Sequence, residues 1–148
     1  MPTVLMIDSH PVCLQAGRLI FETAEVEQFL AAQNYIEGDQ LYRRHHTDVI
    51  VVDLAAADGG VGGLEFIRRI RTYDPHARIL VLSMRDDASI VMQSFEAGAS
   101  GYVLKDSSAE DLLNAVRSLL AGTQFVSAAV ANKVAAHRPN QHTMLDSM

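Results

Sequence analysis

The chain has little of several things, and each shortage excludes something. It holds a single cysteine, Cys13, so no internal disulfide can form. That suits a reducing cytoplasm. Its 12 lysines and arginines are outnumbered by 18 acids, giving a formal net charge of −6. Phosphate contacts need a basic face, so this segment is not expected to grip nucleic acid. No apolar run approaches the roughly 20 residues that span a bilayer. The first such run, Val4 to Ile7, stops at Asp8 without a secretory pattern. No internal repeats occur, and no glycine-rich phosphate loop follows that first run, which argues against a nucleotide or flavin binder. The chain does not lack apolar residues: they make up 49% of its 148 positions. That composition predicts one packed domain rather than a disordered chain.

What is present is an alternation of strands and helices. Val49-Ile50-Val51-Val52 is β-branched throughout and runs straight into Asp53. It is too short for an ordinary helix and suits a strand buried on both faces of a parallel sheet. Val4 to Ile7 runs into Asp8 in the same way, Ile79 to Leu82 into Ser83, and Gly101 to Leu104 into Lys105. Val26 to Leu30, with Glu27 and Gln28 inside it, reads as an edge strand.

Between the strands lie helical spacings. Ser9 as a cap and Pro11 at the first helical position start a helix to about Phe21, with Val12, Ala16, Leu19 and Ile20 as its apolar residues. Asn34 to His46 is a second helix, in which Gly38 costs ~1 kcal/mol against alanine. Leu64, Ile67 and Ile70 mark a third, with Arg68, Arg69 and Arg71 on its outer face. A fourth runs from Asp86-Asp87 to Gly98 and contains Val91, Phe95 and Ala97. Ser107 or Ser108 caps the fifth, whose buried face is Leu112, Leu113, Val116, Leu119 and Leu120. The alternation predicts a doubly wound α/β domain with five parallel strands and helices on both faces. Residues 1–127 form this domain. Residues 128–136 read as a short linker helix, and 138–148 as a loose tail.

Four strands therefore end in Asp8, Asp53, Ser83 and Lys105. A polar residue after a strand ordinarily marks only the chain leaving the core. In a parallel sheet, however, all four ends share one edge, the edge where ligands bind. Their chemistry is complementary for phosphoryl transfer to a carboxylate. Two neighbouring acids attract an oxygen-preferring cation such as Mg²⁺. Asp53 can act as nucleophile and form an acyl phosphate. Ser83 can donate to a phosphoryl oxygen, and Lys105 supplies a compact positive charge.

These residues lie in motifs that resemble the receiver domain of bacterial two-component response regulators. The motifs are Asp8-Ser9-His10-Pro11, Val51-Val52-Asp53-Leu54, Leu64-Glu65, Val81-Leu82-Ser83-Met84, Asp111-Leu112-Leu113, and above all the run from Glu96 through Ala97-Gly98-Ala99-Ser100-Gly101-Tyr102-Val103-Leu104-Lys105 to Asp106. The resemblance covers residues 3 to about 127 and is strongest to the branch with a helix-turn-helix output, the nitrate-regulator and quorum-regulator type. It implies a flavodoxin-like sheet of order 2-1-3-4-5. It also implies Asp53 as phosphoacceptor, Asp8 and the Ala55 carbonyl as Mg²⁺ ligands, Ser83 and Tyr102 as switch residues, and Lys105 as the lysine facing the phosphoryl group. A sensor histidine kinase would be the donor. The output face would involve the helix after Ser83, the Tyr102 strand and the last helix. A homodimer through the first and last helices, a cytoplasmic location, and DNA contact only through an output domain outside this chain follow from the same likeness. Such a protein is a signalling switch whose only chemistry is its own phosphorylation and dephosphorylation.

Two departures from the family pattern stand out. The second acid after strand one is replaced by Ser9, a far weaker ligand for a hard cation, which predicts reduced Mg²⁺ affinity and slower or absent phosphorylation. The loop from Leu54 to Gly63 lacks the usual Met-Pro pair and is longer by about two residues. Asp58 within it reads as a solvated loop acid, with replacement of the missing ligand as the alternative. These departures favour a rival reading, a pseudo-receiver that acts as a phosphorylation-independent interaction or dimerisation module. His45 and His46 are sequence neighbours that a helix points apart, so no metal is expected there. His10 reads as packing at a helix start.

Overall fold

The structure, a computed structural model, describes residues 2–24, 26–55 and 62–136. In chain order the elements are β1 (Thr3–Ile7), α1 (Pro11–Thr23), β2 (Gln28–Ala32), α2 (Tyr35–His45), β3 (Val49–Asp53), α3 (Gly62–Tyr73), β4 (Ile79–Ser83), α4 (Ala88–Ala97), β5 (Gly101–Leu104), α5 (Ala109–Leu120), β6 (Phe125–Val126) and α6 (128–136). All the paired strands are parallel, and their order is β2-β1-β3-β4-β5-β6. The order of the first five is the expected one. The sixth strand was not anticipated, because Phe125 and Val126 alone are too short to give a periodic signal.

β3 and β4 are buried at every position, as central strands covered on both faces must be. Residues of α1 and α5 fill one apolar layer and those of α2, α3 and α4 the other. None of the described helices is long and apolar enough to cross a membrane.

Several local expectations need correction. Ser9 does not cap α1: the cap position is His10, and Asp8 Oδ1 accepts from the His10 N–H at 2.8 Å. α1 also rolls away from the face its aliphatic spacing suggested. Leu14, Gly17 and Phe21 are buried, whereas Val12 and Leu19 are 78% and 62% exposed. The largest ring decides the roll, since Phe21 stacks on Phe29 with centroids 5.8 Å apart. Gly17 lets the helix lie directly on Met6, whose Sδ any Cβ would overlap.

β2 begins two residues later than read, because the Val26 N–H bonds Phe21 O, closing the end of α1, and the Glu27 N–H bonds Pro2 O. Arg71 is not on the outer face of α3. It turns inward and donates to Gly98 O at 2.7 Å and to Pro75 O at 2.7 Å, while Arg68 and Arg69 stay exposed.

Beyond β5 the chain stays on the domain. Val130 of α6 is fully buried and belongs to the same apolar layer as Val91 and Tyr102. Lys133 reaches Asp86 at 3.6 Å. The expectations for Asp58 and for the tail from Arg138 onward lie outside the described residues.

Candidate functional site

The parallel register carries β1, β3, β4 and β5 to a common edge, where Ile7 lies opposite Val52, Asp53 opposite Leu82, and Ser83 opposite Leu104. Asp8 and Asp53 are 0% and 2% exposed. Lys105 Nζ sits between them, 2.8 Å from Asp8 Oδ2 and 3.0 Å from Asp53 Oδ2. Burial by itself would lower the Lys105 ammonium, but its contacts with the two carboxylates outweigh that and raise it. One lysine thus faces two buried acids, and the trio retains a net negative charge.

The remaining carboxylate oxygens are held by local turns. Asp53 Oδ1 accepts from the Ala55 N–H at 3.0 Å. Asp8 Oδ1 accepts from the His10 N–H and also lies 3.1 Å from His10 Nδ1. Asp8 Oδ2 is buried and paired with the Lys105 ammonium, with no well-aligned hydrogen bond among the described residues. A buried carboxylate oxygen in that condition fits a cation.

Ser83 is 5% exposed, and its Oγ accepts from the Arg85 N–H at 3.0 Å. Its carbonyl accepts from the Lys105 N–H at 2.8 Å, which ties the hydroxyl-bearing and lysine-bearing strand ends together. Tyr102 is fully buried, and its hydroxyl donates to Arg85 O at 2.7 Å. Burial raises the Tyr102 phenol, against a lowering influence from its hydrogen bond with Ser83. Thus Ser83 and Tyr102 both hold the β4–α4 segment at Arg85. A shallow cavity lined by Leu54, Ala55, Ser83 and Met84 opens beside them.

Two contributors were not identified from sequence. Tyr35 of α2 donates to the Asp53 carbonyl at 2.6 Å. Nothing in the local pattern marks it, since the partner is 18 residues away. Cys13 was read only for redox compartment, yet it stands in the first turn of α1 beside Asp8 and His10. The short spacing Asp8, His10, Cys13 around a strand-to-helix turn was the available signal.

A six-stranded doubly wound parallel sheet with two acids, a hydroxyl and a lysine on its carboxyl edge defines a receiver-type domain. The chain belongs to the response regulator receiver domain family, whose pattern matches residues 4–117. The nitrate/nitrite response regulator protein NarL of Escherichia coli strain K12 is 34% identical over 95% of this chain and 65% of that protein. The oxygen regulatory protein NreC of Staphylococcus epidermidis is 32% identical over 83% of this chain and 56% of that protein. The chain therefore spans less than two thirds of the length of either relative. Among solved structures, a LuxR-family two-component response regulator from an Aurantimonas species superposes with a TM-score of 0.85 and 34% identity, covering 93% of this chain and 98% of that one. The likeness to nitrate-type and LuxR-type regulators agrees with the branch read from the motifs. Response regulators are signalling proteins rather than metabolic enzymes.

Proposed function

We propose that this domain is a phosphorylation-dependent switch that takes a phosphoryl group on Asp53 from a sensor histidine kinase and controls a transcriptional output. The observation that carries the reading is Lys105 Nζ bridging Asp8 and Asp53 at 2.8 and 3.0 Å. Asp53 Oδ attacks the phosphorus of a phosphohistidine. The new O–P bond forms as the P–N bond breaks, and the leaving imidazole takes up a proton.

Lys105, already oriented by Asp53, neutralises one of the added phosphoryl oxygens. Ser83 Oγ leaves the Arg85 N–H and donates to another. That exchange loosens the β4–α4 segment and shifts the population of Tyr102 and α4 arrangements, which is how the event is read elsewhere. Asp8, Asp53 and the Ala55 carbonyl would hold Mg²⁺, with Ser9 supplying only a weak fourth oxygen. When bound, the ion supplies the positive charge that screens the incoming phosphoryl oxygens from the two acids.

Val12 and Leu19 leave an exposed apolar stripe on α1. It supports self-association through α1 and α5. DNA contact belongs to an output domain outside this chain, and a cytoplasmic location suits such a partner.

Ser9 favours one rival, a pseudo-receiver that binds partners without taking phosphate. Intact-protein mass after incubation with acetyl phosphate and Mg²⁺ separates the two. One phosphoryl adduct, absent in Asp53→Asn, supports the switch. No adduct at high Mg²⁺ supports the pseudo-receiver.

A further inference from the structure

At the start of α1 the structure brings together three side chains that phosphoryl transfer does not need as a set. Asp8, His10 and Cys13 each offer one ligand atom, and these atoms all lie within 4.8 Å of one another. His10 Nδ1 and Asp8 Oδ1 are 3.1 Å apart. Two ligands of a tetrahedral ion with Zn–N and Zn–O bonds of ordinary length stand about 3.3 Å apart, so this pair is already spaced for one. Cys13 completes a triangle because the chain curls between β1 and α1, its N–H bonded to His10 O at 3.0 Å.

We propose that Asp8, His10 and Cys13 form a binding site for a borderline transition-metal ion of the Zn²⁺ type. The donor set decides the class of ion. Mg²⁺ requires octahedral oxygen and makes poor bonds to imidazole and thiolate. Zn²⁺ takes sulfur, nitrogen and oxygen together in four-coordinate sites. His10 Nδ1 stands against Oδ1 of Asp8, whereas Lys105 and, through it, Asp53 are reached from Oδ2.

Charge also balances. One carboxylate and one thiolate neutralise the dication, and Lys105 remains to neutralise Asp53. The thiol gives up its proton on binding the ion. Asp8 is buried, but the His10 side chain is 66% exposed, so one of the three ligands meets solvent. The proposal goes beyond the phosphoacceptor reading and does not depend on it.

The test is a Co²⁺ titration of the full, untagged chain in excess Mg²⁺, followed by absorbance. With one cysteine in the sequence, any thiolate-to-cobalt band reports Cys13. The expected result is a saturable 1:1 band that Zn²⁺ displaces. It should be absent in Cys13→Ser, weakened by about tenfold or more in His10→Ala, and retained in Asp53→Asn, which cannot take phosphate. A second readout needs no variant: Zn²⁺, but not Mg²⁺, should slow modification of Cys13 by a thiol reagent. Absence of the band, displacement of cobalt by Mg²⁺, unchanged affinity in His10→Ala, or no Zn²⁺ protection of the thiol each overturns the proposal. Loss of the band in Asp53→Asn would assign the ion to the hard-cation site instead.

Discussion

The Tyr35 hydroxyl donates to the backbone carbonyl of Asp53 at 2.6 Å, so α2 holds the end of β3. Tyr35 is 6% exposed and stacks on Phe66 at 5.3 Å. Replacing it with phenylalanine keeps the ring and removes the donor. A buried carbonyl left without its partner costs about 1–3 kcal/mol. Tyr35→Phe is therefore expected to lower the unfolding free energy by that amount, read as a lower urea midpoint with an unchanged m value. It should also slow phosphorylation of Asp53 by acetyl phosphate, because the backbone that carries the carboxylate loses its tie to α2. An unchanged rate would mean that Lys105 and the Ala55 N–H position Asp53 alone.

Gly38 is the second place where α2 meets the sheet. A Cβ there would overlap the Ile7 Cδ1 and stand 2.8 Å from Ile7 Cγ1. Ile7 is fully buried and cannot move aside. Helix propensity favours alanine by ~1 kcal/mol, but overpacking costs about 1–3 kcal/mol. Gly38→Ala should be net destabilising in chemical denaturation. Combined with Ile7→Val, which removes the nearest methyl, the loss should be smaller than the sum of the two single losses by about 0.5 kcal/mol or more.

The same glycine illustrates what sequence could and could not give. Read alone, Gly38 weakened the case for α2; in the fold it is what allows α2 to pack. The strands were legible because four apolar residues in a row admit few other structures, and β3 falls at its expected residues. The roll of α1 was not, because spacing counts aliphatic residues and ignores that one Phe21–Phe29 stack outweighs Val12 and Leu19. The edge carrying Asp8, Asp53, Ser83 and Lys105 followed from parallel topology. The bridging position of Lys105 and the reach of Tyr35 depend on side-chain length and helix placement, which no local pattern encodes.

Tyr42 and Asp74 carry a pH dependence. The Tyr42 hydroxyl donates to Asp74 Oδ2 at 2.6 Å. That bond, against a raising effect of burial, holds the Asp74 carboxyl below its ordinary value. A folded-state value below the unfolded one means stabilisation that is present above the unfolded carboxylate value of about 3.9 and fades as pH falls through the folded value. Tyr42→Phe should cost about 1 kcal/mol at neutral pH. The gap from wild type should hold steady down to about pH 5 and close in more acid solution. A gap independent of pH would show that Asp74 is not the partner that matters.

Leu19 is 62% exposed on a helix whose other face is fully used. Leu19→Glu takes away apolar surface that a dimer would bury while taking nothing from the core. The melting temperature of the monomer should stay unchanged, since surface substitutions of this kind fall within about 0.5 kcal/mol. Self-association through α1 and α5, followed by sedimentation at rising protein concentration, should weaken. An unaffected association would move the interface to another face.

Ser9 stands beside Asp8 at the carboxyl edge of the sheet, and placing an acid there should have opposite effects with and without cation. Without Mg²⁺, a third carboxylate joins Asp8 and Asp53, which already share one lysine. Ser9→Asp should then melt below wild type. With Mg²⁺ the added oxygen is a ligand, and the concentration giving half-maximal stabilisation should fall by about tenfold or more. Because binding stabilises by about 2.7 kcal/mol at a hundred times the dissociation constant, the variant's melting curve should cross wild type as Mg²⁺ rises. The crossing, read by thermal melts across a Mg²⁺ series, identifies position 9 as what weakens the hard-cation site. Two parallel curves would instead place the weakness in the loop after Asp53.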